Sequence, residues 1–261
     1  MTRERNGREA KPEKRDKKVT TKSLRLMKQA GKRIVALTAY DYLMAELLDQ
    51  AGVDLILAGD SAAMAVQGRH TTVSVTMEEM LYHAELVSSA VERALVVGDL
   101  PFMSYQINAD EALRNAGRMV QEAHVEAGIP VMGHLGLTPQ SIHKFGTYQV
   151  RATEPEEADE VRRDAQALED AGVFGIVLEK VPAKLAAEVS KSVSVPVIGI
   201  GAGPGCDGQI LVSHDMLGLY SKFHPRFVRR YAELGAQMKE AFERYAKDVR
   251  GGDFPSERES Y

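Results

Sequence analysis

Five side chains stand where parallel α/β proteins carry their chemistry, just after short apolar runs. Asp60 and Ser61 follow Asp54–Ala58, Asp99 follows Leu95–Gly98, His134 follows Pro130–Gly133, and Glu179 follows Phe174–Leu178. Two carboxylates on successive strand ends offer hard oxygen ligands, which suit a Mg²⁺ ion that keeps waters and substrate oxygens in its other positions. Glu179 then remains free as a general base. A 2-oxo acid held through its keto and carboxylate oxygens has acidified C3 protons, and a metal would stabilise the enolate formed from it. The residues alone therefore reach one reaction class, carbon–carbon bond formation through an enolate. Each also has a plainer role. Asp60 or Asp99 could cap a loop or helix. His134 could be a hydrogen-bonded structural residue. Glu179 beside Lys180 could form an exposed ion pair. Gly199-Ile200-Gly201-Ala202-Gly203 reads as a tight turn, because it lacks the GxGxxG spacing of a dinucleotide site.

Positioning these groups requires a repeated βα pattern. Strand candidates are Ile34–Thr38, Asp54–Ala58, Leu95–Gly98, Pro130–Gly133, Phe174–Leu178, Val195–Ile200 and Gln209–Ser213. Helix candidates are Tyr42–Ala51, Met77–Val91, Ala109–Ala127, Glu156–Ala171 and Pro182–Lys191, with a short helix before them capped by Thr21 and closed by Gly31. Three helices end on the same signal, Ala51-Gly52-Val53, Ala127-Gly128-Ile129 and Ala171-Gly172-Val173, where glycine stops the helix and an apolar run follows. Strands apolar throughout and alternating with helices predict a parallel sheet covered on both faces. Polar residues gathered after strand C-termini favour a closed barrel over an open sheet. The expected fold is an α/β, TIM-type (β/α)₈ barrel or a seven-stranded, gapped derivative of it. Only seven strands can be found. Between Gly98 and Pro130 there is space for one loop and one helix, whereas a complete βαβ unit takes about 30 residues or more.

Composition narrows the partners. Lys plus Arg total 33 against 37 for Asp plus Glu, so a net charge of −4 argues against a nucleic-acid binder. No apolar run suits a membrane span and no signal core opens the chain. The lone cysteine, Cys206, excludes an intrachain disulfide framework, so a cytoplasmic location is expected. Residues 1–18 hold eight basic and four acidic residues and no Leu, Ile, Val or Phe. They read as a disordered charged tail ahead of a single barrel domain spanning residues 19–261.

Several segments, in order, resemble ketopantoate hydroxymethyltransferase. They are Leu37-Thr38-Ala39-Tyr40-Asp41-Tyr42, Gly59-Asp60-Ser61 with Val66-Gln67-Gly68, and Asp99-Leu100-Pro101-Phe102. Gly133-His134-Leu135-Gly136-Leu137-Thr138-Pro139-Gln140-Ser141 follows, then Leu178-Glu179 with Val181-Pro182, then Pro196 to Gly203. Asp207-Gly208-Gln209 and His214-Asp215-Met216 complete the set. The resemblance spans roughly Leu24 to Pro255. It implies a (β/α)₈ barrel that transfers a hydroxymethyl group from 5,10-methylenetetrahydrofolate to 3-methyl-2-oxobutanoate, giving 2-dehydropantoate for pantothenate and coenzyme A. It implies Mg²⁺ or a similar divalent ion on Asp60 and Asp99. Asp60, Ser61, Asp99 and His134 would contact the 2-oxo acid, and Glu179 would accept the C3 proton. Its partners would be that 2-oxo acid and a folate, within a homo-oligomer, a decamer in the family.

One departure is large. Members of that family carry a further strand with a Lys-Ile/Leu-Glu-Gly-Gly-like segment, then a helix, between the helix after Asp99 and the strand before His134. The Lys contacts substrate and the Glu belongs to the metal site. Here Gln121-Glu122-Ala123 passes directly into His124-Val125 and on to Gly128-Ile129-Pro130. Phe145–Tyr148 and Val150–Thr153 also differ from the family pattern near the expected rim. Two alternatives stand beside an active enzyme: a catalytically impaired or non-catalytic relative, and a phosphoenolpyruvate mutase/isocitrate lyase-like enzyme acting on another 2-oxo acid.

Overall fold

The computed structural model describes residues 17–125, 129–138, 140, 149–220 and 225–261. Seven strands form one all-parallel sheet: β1 Ile34–Thr38, β2 Leu55–Ala58, β3 Leu95–Gly98, β4 Met132–Gly136, β5 Gly175–Glu179, β6 Val197–Ile200 and β7 Gly208–Leu211. The helices are α1 Thr21–Gln29, α2 Tyr42–Gln50, the short α3 Ala62–Ala65, α4 Met77–Ala90, α5 Ala109–Gln121, α6 Pro155–Asp170, α7 Ala183–Ser192, the short α8 Ser213–Met216 and α9 Leu234–Gly251.

Strand order is β3-β2-β1-β7-β6-β5-β4. The first and last strands are neighbours through Ile34↔Gly208 to Leu37↔Leu211, as in a closing barrel. The ends of the sheet are β3 and β4, consecutive in sequence, and among the described residues no strand lies between them. The seven-stranded, gapped derivative is therefore the fold observed. The absent strand falls between Gly98 and Met132, where the helix–strand rhythm is one unit short.

Strand alternation explains the three cores. Inward residues Ala36, Leu55, Leu95, Ile198 and Ile210 meet Leu57, Val97, Phe174 and Val177 inside the barrel. Val19 and Leu24 belong to the same cluster, so α1 plugs the N-terminal end of the barrel. Outward residues Ile56 and Val96 pack under α2, α4 and α5. Ile176, Leu178 and Val197 pack under α6 and α7. The helical layer is thus two cores, with α5 in one and α6 in the other, and the seam between them coincides with the β3–β4 gap.

Several boundaries differ from expectation. Thr20, not Thr21, caps α1, its side chain accepting from Ser23 N in a capping box. Gly31 does close that helix in the left-handed region, at φ 65°. Gly52 and Gly172 do the same at φ 80° and 88°, whereas Gly128 lies outside the described residues. The helix expected over 109–127 ends at Gln121, and His124 takes a left-handed φ of 53°. Strand β4 starts two residues later and runs three residues further than expected, because its ladder to β5 extends from Met132↔Gly175 to Gly136↔Glu179. His134 and Glu179 are therefore strand residues, and do not follow their strands. Helix α9, which the periodicity reading missed, carries Met238, Phe242, Tyr245 and Val249 along one exposed stripe.

Candidate active site

The C-terminal ends of β2, β3, β4 and β5 bring all five expected side chains to one cavity of about 760 Å³. Asp60, Ser61, Asp99, His134 and Glu179 all line it. Asp60 is buried at 4% exposure. Its carboxylate is no helix cap; Oδ2 accepts from Gln140 Nε2 at 3.0 Å. Its backbone N–H donates to Asp99 Oδ2, also at 3.0 Å, which draws the two acidic residues together.

That closeness depends on Gly59. A methyl group there would stand 3.0 Å from Ser61 Oγ and 3.2 Å from Asp99 Oδ2. Gly59→Ala is therefore expected to displace both groups. Divalent-metal affinity should fall at least about tenfold while the melting temperature drops only about 2–4 °C, the equivalent of about 1 kcal/mol in a chain of this size. Isothermal titration with Mg²⁺ beside a thermal melt checks this.

Burial dominates the electrostatics. Asp99 is pushed up to about 7, by desolvation first and then by the charge of Asp60. Asp60 is raised by desolvation too, against the lowering effects of Gln140 and the charge of His134. Two desolvated carboxyls side by side, each held from ionising freely, make a donor set that a divalent cation would complete. Among the described residues no group of three or more His, Cys, Asp or Glu forms a metal cluster, so this chain itself offers two carboxylates.

On the far side of the cavity, His134 Nε2 lies 3.2 Å from Glu179 Oε2. Desolvation lowers the affinity of His134 for its proton, but the hydrogen bond to Glu179 and the charges of Glu179, Asp99 and Asp60 outweigh it, so the imidazole is raised overall. His134 is thus aimed by a carboxylate that it in turn orients. Glu179 is not an exposed partner of Lys180: its side chain lines the cavity, with Oε2 against His134 Nε2. The glycine stretch after β6 is the tight turn expected, with Gly201 at φ 62° and Gly203 at φ 77°.

Three further groups shape the site. Gln140 also donates to Leu100 O at 3.2 Å and accepts from Tyr105 Oη at 3.1 Å. It thereby ties the loop after β4 to the loops after β2 and β3, across the mouth of the gap. Tyr40, buried at 1% exposure, places Oη 2.9 Å from Ser61 Oγ. Thr38 stands behind Tyr40. Tyr40 and Gln140 each lie within a string that carries the resemblance, but no spacing rule marked them. The available signal was a Thr-x-Tyr pair ending an apolar strand. Phe145–Tyr148 lies outside the described residues. Val150–Thr153 packs beside the end of β5, with Arg151 N–H donating to Lys180 O at 2.8 Å.

Below the rim the cavity continues into the gap, where Ala116, Val120, Ile129, Val131 and Leu168 line it. Ile129 and Val131 are 44% and 54% exposed.

Comparison with known proteins separates fold from family. The structure is similar to phosphoenolpyruvate phosphomutase from Streptomyces platensis subsp. rosaceus, with TM-score 0.57, 17% identity and coverage of 89% of this chain and 88% of that one. It is similar to 2,3-dimethylmalate lyase, with TM-score 0.55, 16% identity and coverage of 92% and 91%. At such identities these likenesses establish the barrel alone. Sequence relatives are much nearer. The 3-methyl-2-oxobutanoate hydroxymethyltransferase of Prosthecochloris aestuarii is 55% identical, covering 93% of this chain and 96% of the relative. That of Flavobacterium johnsoniae is 54% identical, covering 94% and 97%. The Prosthecochloris alignment runs over 266 residues yet takes in 93% of a 261-residue chain, about 243, so about 23 positions are filled in the relative alone. That deficit matches a lost strand and part of a helix. The family model described as ketopantoate hydroxymethyltransferase matches residues 18–257, nearly the whole described chain, and the protein belongs to that family.

Proposed function

We propose that this chain transfers a hydroxymethyl group from 5,10-methylenetetrahydrofolate to 3-methyl-2-oxobutanoate, forming 2-dehydropantoate, with Asp60 and Asp99 holding a divalent cation such as Mg²⁺. The observation that carries this reading is the convergence of Asp60, Asp99, Ser61, His134 and Glu179 on one cavity in a chain of this family. A bound divalent cation supplies Lewis-acid withdrawal of charge from the 2-oxo acid. The protein's own groups do the rest. Ser61 and His134 hold the substrate oxygens. Glu179 takes the C3 proton, and the hydrogen bond from His134 keeps its carboxylate turned toward the cavity. The apolar strand residues beneath exclude water from the carbanionic carbon. The deciding experiment is turnover with 3-methyl-2-oxobutanoate, methylenetetrahydrofolate and Mg²⁺; a folded chain that yields no 2-dehydropantoate sinks the reading. The small-molecule partners, a cytoplasmic location and a homo-oligomer of the family's decameric type belong to the same proposal. In support, no described helix is long and apolar enough to cross a membrane.

The family match over 18–257 supports transfer; a second reading, a family member with reduced or lost turnover, would rest only on the open β3–β4 seam and the deficit of about 23 positions.

Metal binding at this site is linked to protons. Asp99 rises from its ordinary value of 3.8 to about 7 in the metal-free fold, so between those values the folded chain holds a proton that the unfolded chain has lost. The stability that Asp99 contributes in the absence of a cation therefore falls as pH rises from about 4 to 7, and a cation displaces the proton. The rise in melting temperature given by about 10 mM Mg²⁺ is expected to be larger at pH 8 than at pH 6. An equal shift at both would contradict the ligand assignment.

A further inference from the structure

A serine hydroxyl can either donate to or accept from a ligand, and its position alone does not say which. For Ser61 the answer lies in the hydrogen bonds behind it. Ser213 N–H, at the start of α8, donates to Thr38 Oγ1 at 3.2 Å. Thr38 Oγ1 donates to Tyr40 Oη at 2.9 Å. Tyr40 Oη lies 2.9 Å from Ser61 Oγ. Each hydroxyl has a single hydrogen. Tyr40 accepts from Thr38, so its own hydrogen goes to Ser61 Oγ. The hydrogen of Ser61 is left over. Ser61 is the N-cap of α3 but makes no side-chain cap bond, which in any case would use its oxygen as acceptor and leave the hydrogen available. Ser61 lines the cavity beside Asp60.

We infer that Tyr40 is a positioning residue whose hydroxyl orders Thr38 and Ser61 so that Ser61 is a fixed hydrogen-bond donor to an anionic or carbonyl oxygen in the cavity. The identity of that oxygen, on the 2-oxo acid, rests on the function proposed above; the direction of the hydrogen-bond chain does not. The surroundings of Tyr40 suit the role. Its backbone carbonyl is hydrogen-bonded to His83 Nδ1 at 2.7 Å. Its ring lies between those of His83 and His214, with centroids 6.5 and 5.3 Å away. Burial pushes the phenol up to about 12, so it keeps its hydrogen across the working range. A tyrosine serving only the core needs one partner for its hydroxyl. This one has two, both hydroxyls, and the second faces the cavity. The arrangement matters chemically because two carboxylates already make this wall acceptor-rich. An oriented donor there selects for a ligand oxygen and against a ligand N–H.

Two measurements on the full chain test this. Neutron diffraction from a crystal in D₂O, without substrate, reads the polarity directly. The Tyr40 deuteron is expected between Oη and Ser61 Oγ, and finding it on the Thr38 side overturns the inference. The second uses 3-methyl-2-oxobutanoate as probe, with Mg²⁺. Tyr40→Phe is expected to weaken binding and raise KM about 5- to 10-fold, the share of a charge-assisted hydrogen bond lost when its donor is no longer aimed, with kcat changed less than about twofold. Thr38→Val should shift KM in the same direction and Thr38→Ser should restore it, a rescue that a packing role would not require. Unchanged substrate affinity in folded Tyr40→Phe overturns the positioning role. Failure of the wild-type chain to bind the 2-oxo acid, with the deuteron where expected, would instead remove the functional reading and leave the polarity standing.

Discussion

Glu179→Gln is expected to lower kcat for 2-dehydropantoate formation about 10²- to 10⁴-fold, the usual contribution of a positioned general base. The substitution keeps the size of the side chain and its carbonyl acceptor, so His134 Nε2 retains a partner at the position now 3.2 Å away. What disappears is the basic oxygen. Affinity for the 2-oxo acid should change less than about threefold, since Ser61 and the Asp60–Asp99 pair remain. Exchange of the C3 proton of 3-methyl-2-oxobutanoate into D₂O, run without the folate, isolates the step. It should fall by the same factor as kcat. Wild-type exchange rates in the variant would move the base to another residue, with His134 the next candidate.

Closing the seam should have the second large effect. Leu95 and Asp99 turn their N–H groups toward β2, bonding Asp54 O and Ala58 O at 3.0 Å. By strand alternation the N–H groups of Val96 and Gly98 face the gap. Among the described residues no strand pairs with the edge of β4 toward the gap. Inserting a strand-and-helix segment of about 23 residues, the size of the deficit against the Prosthecochloris relative, between Ala123 and Val125 is expected to pair both edges. It would also cover Ile129 and Val131. Burying those two side chains contributes about 1 kcal/mol each, so the melting temperature should rise about 4–8 °C. Hydrogen exchange offers a local check: in the present chain the β3 and β4 edge amides should exchange faster than those of β1 and β7, and the graft should slow them. If the second functional reading holds, the graft should also raise turnover. A graft that folds but leaves edge exchange and turnover unchanged would show that the seam is already compensated, for instance by a second copy.

Much of this architecture is visible in the chain itself. Apolar runs of four to six residues, alternating with helices ended by Gly52 and Gly172, dictate parallel strands. Local backbone chemistry forces both features, because a left-handed glycine stops a helix and β-branched residues favour extended backbone. The count of seven strands came from spacing, and so did the location of the missing unit. Of the site, Asp60, Ser61 and Asp99 were legible because they directly follow apolar runs. His134 and Glu179 also line the cavity, but they lie within strands and do not follow them. The β4–β5 register, a property of two segments more than 40 residues apart, makes them strand residues.

The sequence by itself thus determined the family, the βα order, the seven-strand count and the side chains available for chemistry, since each depends on residue identity and local spacing. Only the tertiary structure decided which strands became edges, that Gln140 bridges the gap's mouth, that burial raises Asp99 to about 7, and that Thr38, Tyr40 and Ser61 form one directed chain. Those are consequences of long-range packing. Desolvation and hydrogen-bond direction depend on which groups the closed chain brings within about 3 Å of one another, and no local pattern encodes that distance.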